Sequence, residues 1–247
     1  ELGATVVAVT GSKLATHRCL FFDPLPLEAR CSGRVLFAVE TARKLYRSNA
    51  DGQLIEDVRF AAYSEAQAPP LEDAIVAELV AIGHKGIRAF YEDCAQGSVS
   101  IIDDPTHMFL RDYLGTAAAA NPPVTSDKRQ YPRIEVREGN GAVVFFGVPI
   151  ALGRHYFEVP PLLTDRVEGK PVGRYCFDCV PCGLSKALLV DYLMEVTGEL
   201  APGFALAVGD QPMGNDEGLT RRHTDGLPFI SVAESHEMVP DHLADCH

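Results

Sequence analysis

At 247 residues with 47% apolar side chains, the chain is long enough to bury a substantial core in one or two domains. Its 22 Lys and Arg against 34 Asp and Glu leave a net charge of −12, which argues against nucleic acid and anionic membrane as partners. An anionic substrate stays open, because a bound divalent cation inverts the local field. The longest apolar run, Ala142 to Leu152, is broken by Gly147 and Pro149. It falls short of the ~20 residues of a membrane span, and no signal peptide is visible. Seven irregularly spaced cysteines, an odd number, point to a reducing, cytoplasmic compartment.

The chain opens on Glu1 rather than Met, and Leu2-Gly3-Ala4 reads as the end of a helix entering a strand, so the reading starts mid-domain. Ala4 to Val9 is a short β-branched run stopped by Thr10-Gly11-Ser12, the pattern of a buried parallel strand ending in a polar turn. From about residue 33 to 175 the character changes to mixed α+β. Strands are expected at Val35–Val39 and Ile55–Phe60, the second after the Asp51-Gly52 turn signal. A helix is expected over Leu71–Ile82, a strand over Ser98–Ile102, and a loop over Gly115–Tyr131. Ile134–Val136 and Val143–Phe146 flank Gly139-Asn140-Gly141, which predicts a hairpin. Leu188, Leu189, Tyr192, Leu193 and Val196 recur at helical spacing over Ser185–Val196. A second buried strand, Gly203–Val208, then stops at Gly209-Asp210. Helix, strand and acidic loop in this order predict an α/β fold, a Rossmann-like doubly wound parallel sheet with an inserted domain. The core is expected at 1–30 and 180–247, and the insertion at 31–179.

In such a fold the site lies at the carboxyl ends of the strands. Thr10 offers a hydroxyl and adjacent N–H groups that can grip a phosphoryl oxygen. Lys186, after Gly183-Leu184-Ser185, places a positive charge near a helix N-terminus. Asp210, Asn215 and Asp216 give hard oxygen ligands on a loop, a donor set suited to Mg²⁺. Each has a plainer reading: a turn, a solvated lysine, a capped acidic turn. It is their order and their common placement at element ends that join them.

These residues resemble the haloacid-dehalogenase (HAD) superfamily of phosphatases. Val6-Val7-Ala8-Val9-Thr10-Gly11 looks like its second motif, Lys186 like the lysine of the third, and Gly209-Asp210 through Asn215-Asp216 like the acidic fourth. The resemblance implies that Thr10 and Lys186 hold the transferring phosphate, with Gly11 and Ser12 beside it. It also implies that Asp210 binds Mg²⁺ and that Asn215 and Asp216 complete the metal site. The long insertion resembles a C2-type cap, which selects sugar phosphates. Within the superfamily, three patches are similar to trehalose-6-phosphate phosphatases and the phosphatase-like domains of trehalose-phosphate synthases. They are Val39-Glu40-Thr41-Ala42-Arg43-Lys44-Leu45-Tyr46, Phe90-Tyr91-Glu92-Asp93 leading to Gly97-Ser98-Val99-Ser100-Ile101, and Val180-Pro181-Cys182-Gly183-Leu184-Ser185-Lys186. By that resemblance Glu40 and Ser98 contact substrate, and a fused or associated synthase domain is an implied partner. The acidic loop is longer than the family's, and in that it is similar to phosphomannomutases and sucrose-phosphate phosphatases.

Catalysis in this superfamily needs an Asp nucleophile with a second Asp two residues on. No Asp-x-Asp-Gly-Thr pattern occurs here. The nearest imitation, Phe37-Ala38-Val39-Glu40-Thr41, has Ala where the nucleophile would stand and reads as a cap strand. The first motif is therefore expected upstream of Glu1, or the domain is catalytically dead. The first reading is a Mg²⁺-dependent sugar-phosphate phosphatase working through an aspartyl-phosphate. The rival is a non-catalytic, sugar-phosphate-binding regulatory domain, and a phosphomutase is a third reading. The Cys176, Cys179, Cys182 run reads as structural thiols rather than a metal cluster. His223, His236, His242 and His247 read as surface histidines.

Overall fold

A computed structural model describes residues 4–11, 13–100, 105–201, 203–209 and 216–232. It divides into two compact units, residues 1–69 with 183–247, and residues 70–182. Residues 31–69 group with the first unit.

In the first unit β1 (Val6–Val9) is followed by α1 (Leu14–His17), a π-helical turn over Arg18–Phe22, and α2 (Leu27–Arg30). Next come β2 (Val35–Val39), β3 (Lys44–Ser48), β4 (Leu54–Glu56) and α3 (Val58–Gln67). The four strands form one sheet in the order β1-β2-β3-β4, parallel between β1 and β2 and antiparallel beyond. Every residue of β2 is buried, which is why it reads as an unbroken apolar run. Leu36 and Ala38 share a core with Phe60, Leu189, Tyr192 and Leu193, while Val35, Phe37 and Val39 share another with Phe22.

The strand expected over Ile55–Phe60 ends at Glu56, because Asp57 turns the chain into α3. Its carboxylate accepts from the N–H groups of Arg59 and Phe60, both at 3.1 Å, and so caps the helix. It also accepts from Arg47 Nε at 2.7 Å and from the Tyr192 hydroxyl at 3.3 Å. Burial pushes the Asp57 carboxyl up, but the Arg47 guanidinium and the two backbone donors outweigh it and hold it below its ordinary value. We expect Asp57→Ala to cost about 2–3 kcal/mol at pH 7, a lost cap plus a charge-assisted bond. The contribution is present at neutral pH and is lost as pH falls through the depressed value. Urea unfolding at pH 7 and pH 3 checks this, since the gap between wild type and variant should close in acid.

The first unit resumes with α7 (Ala187–Asp191), which passes into a π-helical turn over Tyr192–Val196. It then adds β9 (Ala207–Gly209), α8 (Glu217–Thr220) and β10 (Phe229–Ser231). β9 and β10 pair in parallel as a separate two-stranded sheet. Among the described residues parallel pairing in this unit is confined to β1–β2 and β9–β10. The two strands expected to be buried are half open: Val6 is 61% and Val208 53% exposed.

The second unit holds α4 (Asp73–Ala95), α5 (Ala117–Ala120), β5 (Arg133–Val136), β6 (Val143–Phe146), α6 (Ile150–Tyr156), β7 (Val167–Val172) and β8 (Cys176–Pro181). Its strands make an antiparallel sheet in the order β5-β6-β8-β7, with the expected hairpin joining β5 to β6. Ile75, Leu79, Ile87 and Phe90 of α4 meet Ile134, Val143, Phe145 and Phe177 in one core. The helix expected to stop at Ile82 runs to Ala95, through two glycines. A Cβ on Gly83 would strike the Phe145 ring, and one on Gly86 the Tyr156 carbonyl, so both are close-approach positions rather than breaks. Phe90–Asp93 is therefore helix, and Ser98–Ser100 follows it as irregular chain rather than a strand. Ile101 and Ile102 lie outside the described residues. The loop expected over Gly115–Tyr131 contains α5, capped by the Thr116 hydroxyl, which accepts from Ala119 N–H at 3.2 Å. No helix among the described residues is long and apolar enough to cross a membrane.

Candidate functional site

Thr10 directly follows β1. Its N–H donates to the Ala38 carbonyl at 2.9 Å, and its own carbonyl accepts from Thr41 N–H at 3.1 Å. The parallel register of β1 on β2 thereby brings Thr10 beside the turn that leaves β2. That turn is unusual: Glu40, Thr41 and Ala42 all have left-handed backbone, with φ of 55°, 60° and 63°. Three non-glycine residues in this region cost strain, of order 1–3 kcal/mol each, that the surroundings must hold. Glu40 is buried there, and Ala42 is wholly enclosed in the core. Arg43 follows and donates to the Ala68 carbonyl. Burial pulls its guanidinium below the ordinary value, against the opposing charges of Glu65 and Glu40.

Lys186 stands at the N-cap of α7, delivered by a left-handed Gly183 (φ 86°). A side chain at residue 183 would press on the Gln67 carbonyl as well as strain the backbone. Lys186 and Asp216 are both buried, and Nζ lies 2.5 Å from Oδ1. Two glycines make room for this pair. A Cβ on Gly209 would overlap the Asp216 carboxylate, and one on Gly218 would run into the backbone at the start of α7. Gly218 escaped the sequence reading. Its signal was weak, a lone glycine inside Glu217-Gly218-Leu219-Thr220.

The structure thus brings Lys186 to Asp216, and Thr10 to the Glu40 turn. Gly11 follows Thr10 in a bend, and Ser98 is exposed in the second unit, its N–H donating to the Asp93 carbonyl at 2.9 Å. Ser12, Asp210 and Asn215 lie outside the described residues. The described residues contain no group of three or more His, Cys, Asp or Glu side chains that could hold a metal ion. Of the three oxygen donors expected to bind Mg²⁺, Asp216 alone is described, and its carboxylate is engaged by the Lys186 ammonium. Cys176, Cys179 and Cys182 are free thiols on or just past β8, with Cys179 wholly buried. Burial pushes the Cys176 thiol up to about 12.

No protein-family model and no curated protein matches the chain. Solved structures do. Plasmodium falciparum IMP-nucleotidase matches with a TM-score of 0.52 at 9% identity, over 93% of this chain and 50% of that one. An IMP-bound mutant of the same nucleotidase matches with a TM-score of 0.51 at 10% identity, over 98% of this chain and 57% of that one. The Streptococcus mutans protein SMU.1108c matches with a TM-score of 0.50 at 11% identity, over 98% of this chain and 77% of that one. The chain therefore spans 50% and 57% of the length of these two nucleotidase structures. At such identities the likeness is one of fold alone, a mixed α/β arrangement.

Proposed function

We propose that this chain is the larger part of a HAD-type phosphomonoesterase acting on a sugar phosphate, trehalose 6-phosphate in particular. The observation that carries the reading is the buried Lys186–Asp216 pair at the start of α7, in a fold similar to that of phosphatases. A positive charge fixed by an opposing carboxylate and shielded from water acts on a phosphoryl oxygen without reorganising. Thr10, held between β2 and the left-handed turn, would supply a hydroxyl to a second oxygen, with Gly11 and Ser12 beside it. The first unit is the proposed core, the second the proposed cap, and Ser98 and Glu40 are proposed to contact the sugar. Mg²⁺ dependence belongs to this proposal through Asp210 and Asn215, with Asp216 close by, and rests on their sequence pattern. The trehalose assignment rests on the three short patches that include Glu40, Ser98 and Lys186.

No Asp-x-Asp occurs in these 247 residues. The enzyme reading needs an aspartyl nucleophile, and the absence of that motif from these residues favours a second reading, a sugar-phosphate-binding regulatory domain associated with a synthase. The test is phosphate release by the natural full-length protein from trehalose 6-phosphate, glucose 6-phosphate, mannose 6-phosphate and IMP, with Mg²⁺ and with EDTA. Release from a sugar phosphate that needs Mg²⁺ and disappears in Asp210→Asn supports the enzyme. Preference for IMP would move the substrate to nucleotides. Binding of trehalose 6-phosphate without any release would leave the regulatory domain.

A further inference from the structure

We infer that Arg43 is a positioning residue, which through the C-terminal end of α3 sets Thr10 and Lys186 in fixed relation to each other. The inference deepens the phosphatase reading and rests on it for the roles of Thr10 and Lys186. Arg43 leaves the left-handed turn, its N–H donating to the carbonyls of Val39 at 3.0 Å and Glu40 at 3.2 Å. Its guanidinium donates through Nη1 to the carbonyl of Ala68, the C-cap of α3. Ala68 is wholly buried, and the last carbonyls of a helix have no partner within it, so a donor from outside is required there. A cation at this end is also favoured by the helix dipole. Glu65 in the last turn of α3 and Glu40 in the left-handed turn both act on the guanidinium with opposite charge. One side chain therefore ties the turn beside Thr10 to the end of α3.

The same helix end meets the loop that delivers Lys186. A Cβ on Gly183 would lie 3.3 Å from the Gln67 carbonyl, one residue before Ala68. Further along, α3 packs on the extension of α7, where the Tyr192 ring lies 5.0 Å from Phe60 and 5.5 Å from Tyr63. Thr10 reaches this frame through Thr41, whose N–H donates to the Thr10 carbonyl at 3.1 Å. Because Glu40, Thr41 and Ala42 are held in left-handed backbone, cutting the tie lets the turn relax away from that geometry. The residue type matters. A guanidinium has five donors in a planar fork and serves a carbonyl and two carboxylates on different elements at once; an ammonium is a point charge on a flexible stem, and a thioether donates nothing. Two groups that grip one phosphoryl must keep their spacing, since a misplacement of about 1 Å can cost roughly a hundredfold in rate.

Hydrogen–deuterium exchange and phosphate release test it in the natural full-length protein, as wild type, Arg43→Lys and Arg43→Met. Two amides report: Thr41, bonded to Thr10, and Leu188, which donates to the Ser185 carbonyl at 3.2 Å at the start of α7. In Arg43→Met both are expected to exchange at least about tenfold faster, with Arg43→Lys between, while the β5–β8 sheet stays protected and reports a folded protein. A side chain that merely capped α3 would move only Ala68, whose N–H donates to the Ser64 carbonyl, and that result overturns the inference. If Arg43→Met does not fold, Arg43→Lys decides: faster exchange at both amides supports the inference, and wild-type exchange at both overturns it. For release from a sugar phosphate, kcat should fall at least about tenfold in Arg43→Met with KM within about twofold, and Arg43→Lys should recover part of the loss. Release by wild type with kcat unchanged in Arg43→Met would overturn the inference and leave the enzyme. No release by wild type, with Thr41 and Leu188 loosened together, would sink the phosphatase reading and leave Arg43 joining the two elements.

Discussion

Lys186→Met is expected to cost about 3–5 kcal/mol of stability, because it strands the Asp216 carboxylate in the interior. Both side chains are 5% exposed, so water cannot take over the lost partner. Asp216→Leu should cost a similar amount by leaving the ammonium behind. Joining the two changes is expected to recover most of the loss, since an apolar pair of similar volume needs no desolvation. Urea midpoints of the four proteins give the coupling. They should respond little to 0.5 M NaCl, as the pair lies out of reach of screening ions. Single costs near 0.5 kcal/mol would mean that the pair behaves as a surface bridge, and the case for a preorganised phosphate-binding charge would fall with it. The same variants separate the roles: the double variant should be stable and unable to bind a phosphate ester.

Some of this molecule is legible in its sequence and some is not, for identifiable reasons. Val35–Val39 is plain because both its faces are buried, and the Ser185–Val196 helix because one face is. The hairpin after Ile134 announces itself through Gly139-Asn140-Gly141. The extent of α4 is not legible, since glycines at 83 and 86 look like stops until Phe145 and Phe157 are seen packing against them. Asp57 reads as strand in the sequence because its capping role depends on Arg47 and Tyr192 as much as on the helix that follows. Lys186 and Asp216 could each be picked out by position at an element end. Their pairing could not: it joins residues 30 positions apart, through room made by Gly209 and Gly218. The left-handed turn at Glu40–Ala42 was invisible for a related reason, as nothing in Glu-Thr-Ala announces positive φ.

Asp178→Asn is expected to stabilise the protein at pH 7, by about 1–3 kcal/mol, and to leave it unchanged near pH 4. Asp178 lies on the face of the β5-β6-β8-β7 sheet that turns away from the Phe145 core, in one row with Glu135, Val144 and Lys170. Glu135 and Arg133 are buried on the same face, where Arg133 stacks over the Phe146 ring at 3.7 Å. Burial pushes the Asp178 carboxyl up to about 6, helped by the charge of Glu135 and opposed by Arg137 and Lys170. The folded chain thus holds this proton to about pH 6, while the unfolded chain releases it near 3.8. Between those values the native state binds more protons, so stability falls as pH rises through the window and the full cost is present above it. Asparagine keeps the shape and removes the ionisation. The stability difference between variant and wild type should therefore open between pH 4 and pH 7, read from urea midpoints across that range. A variant that is weaker than wild type at pH 7 would show instead that Arg137 and Lys170 require the carboxylate, and that the charged face of the sheet is held together by its ion pairs rather than in spite of them.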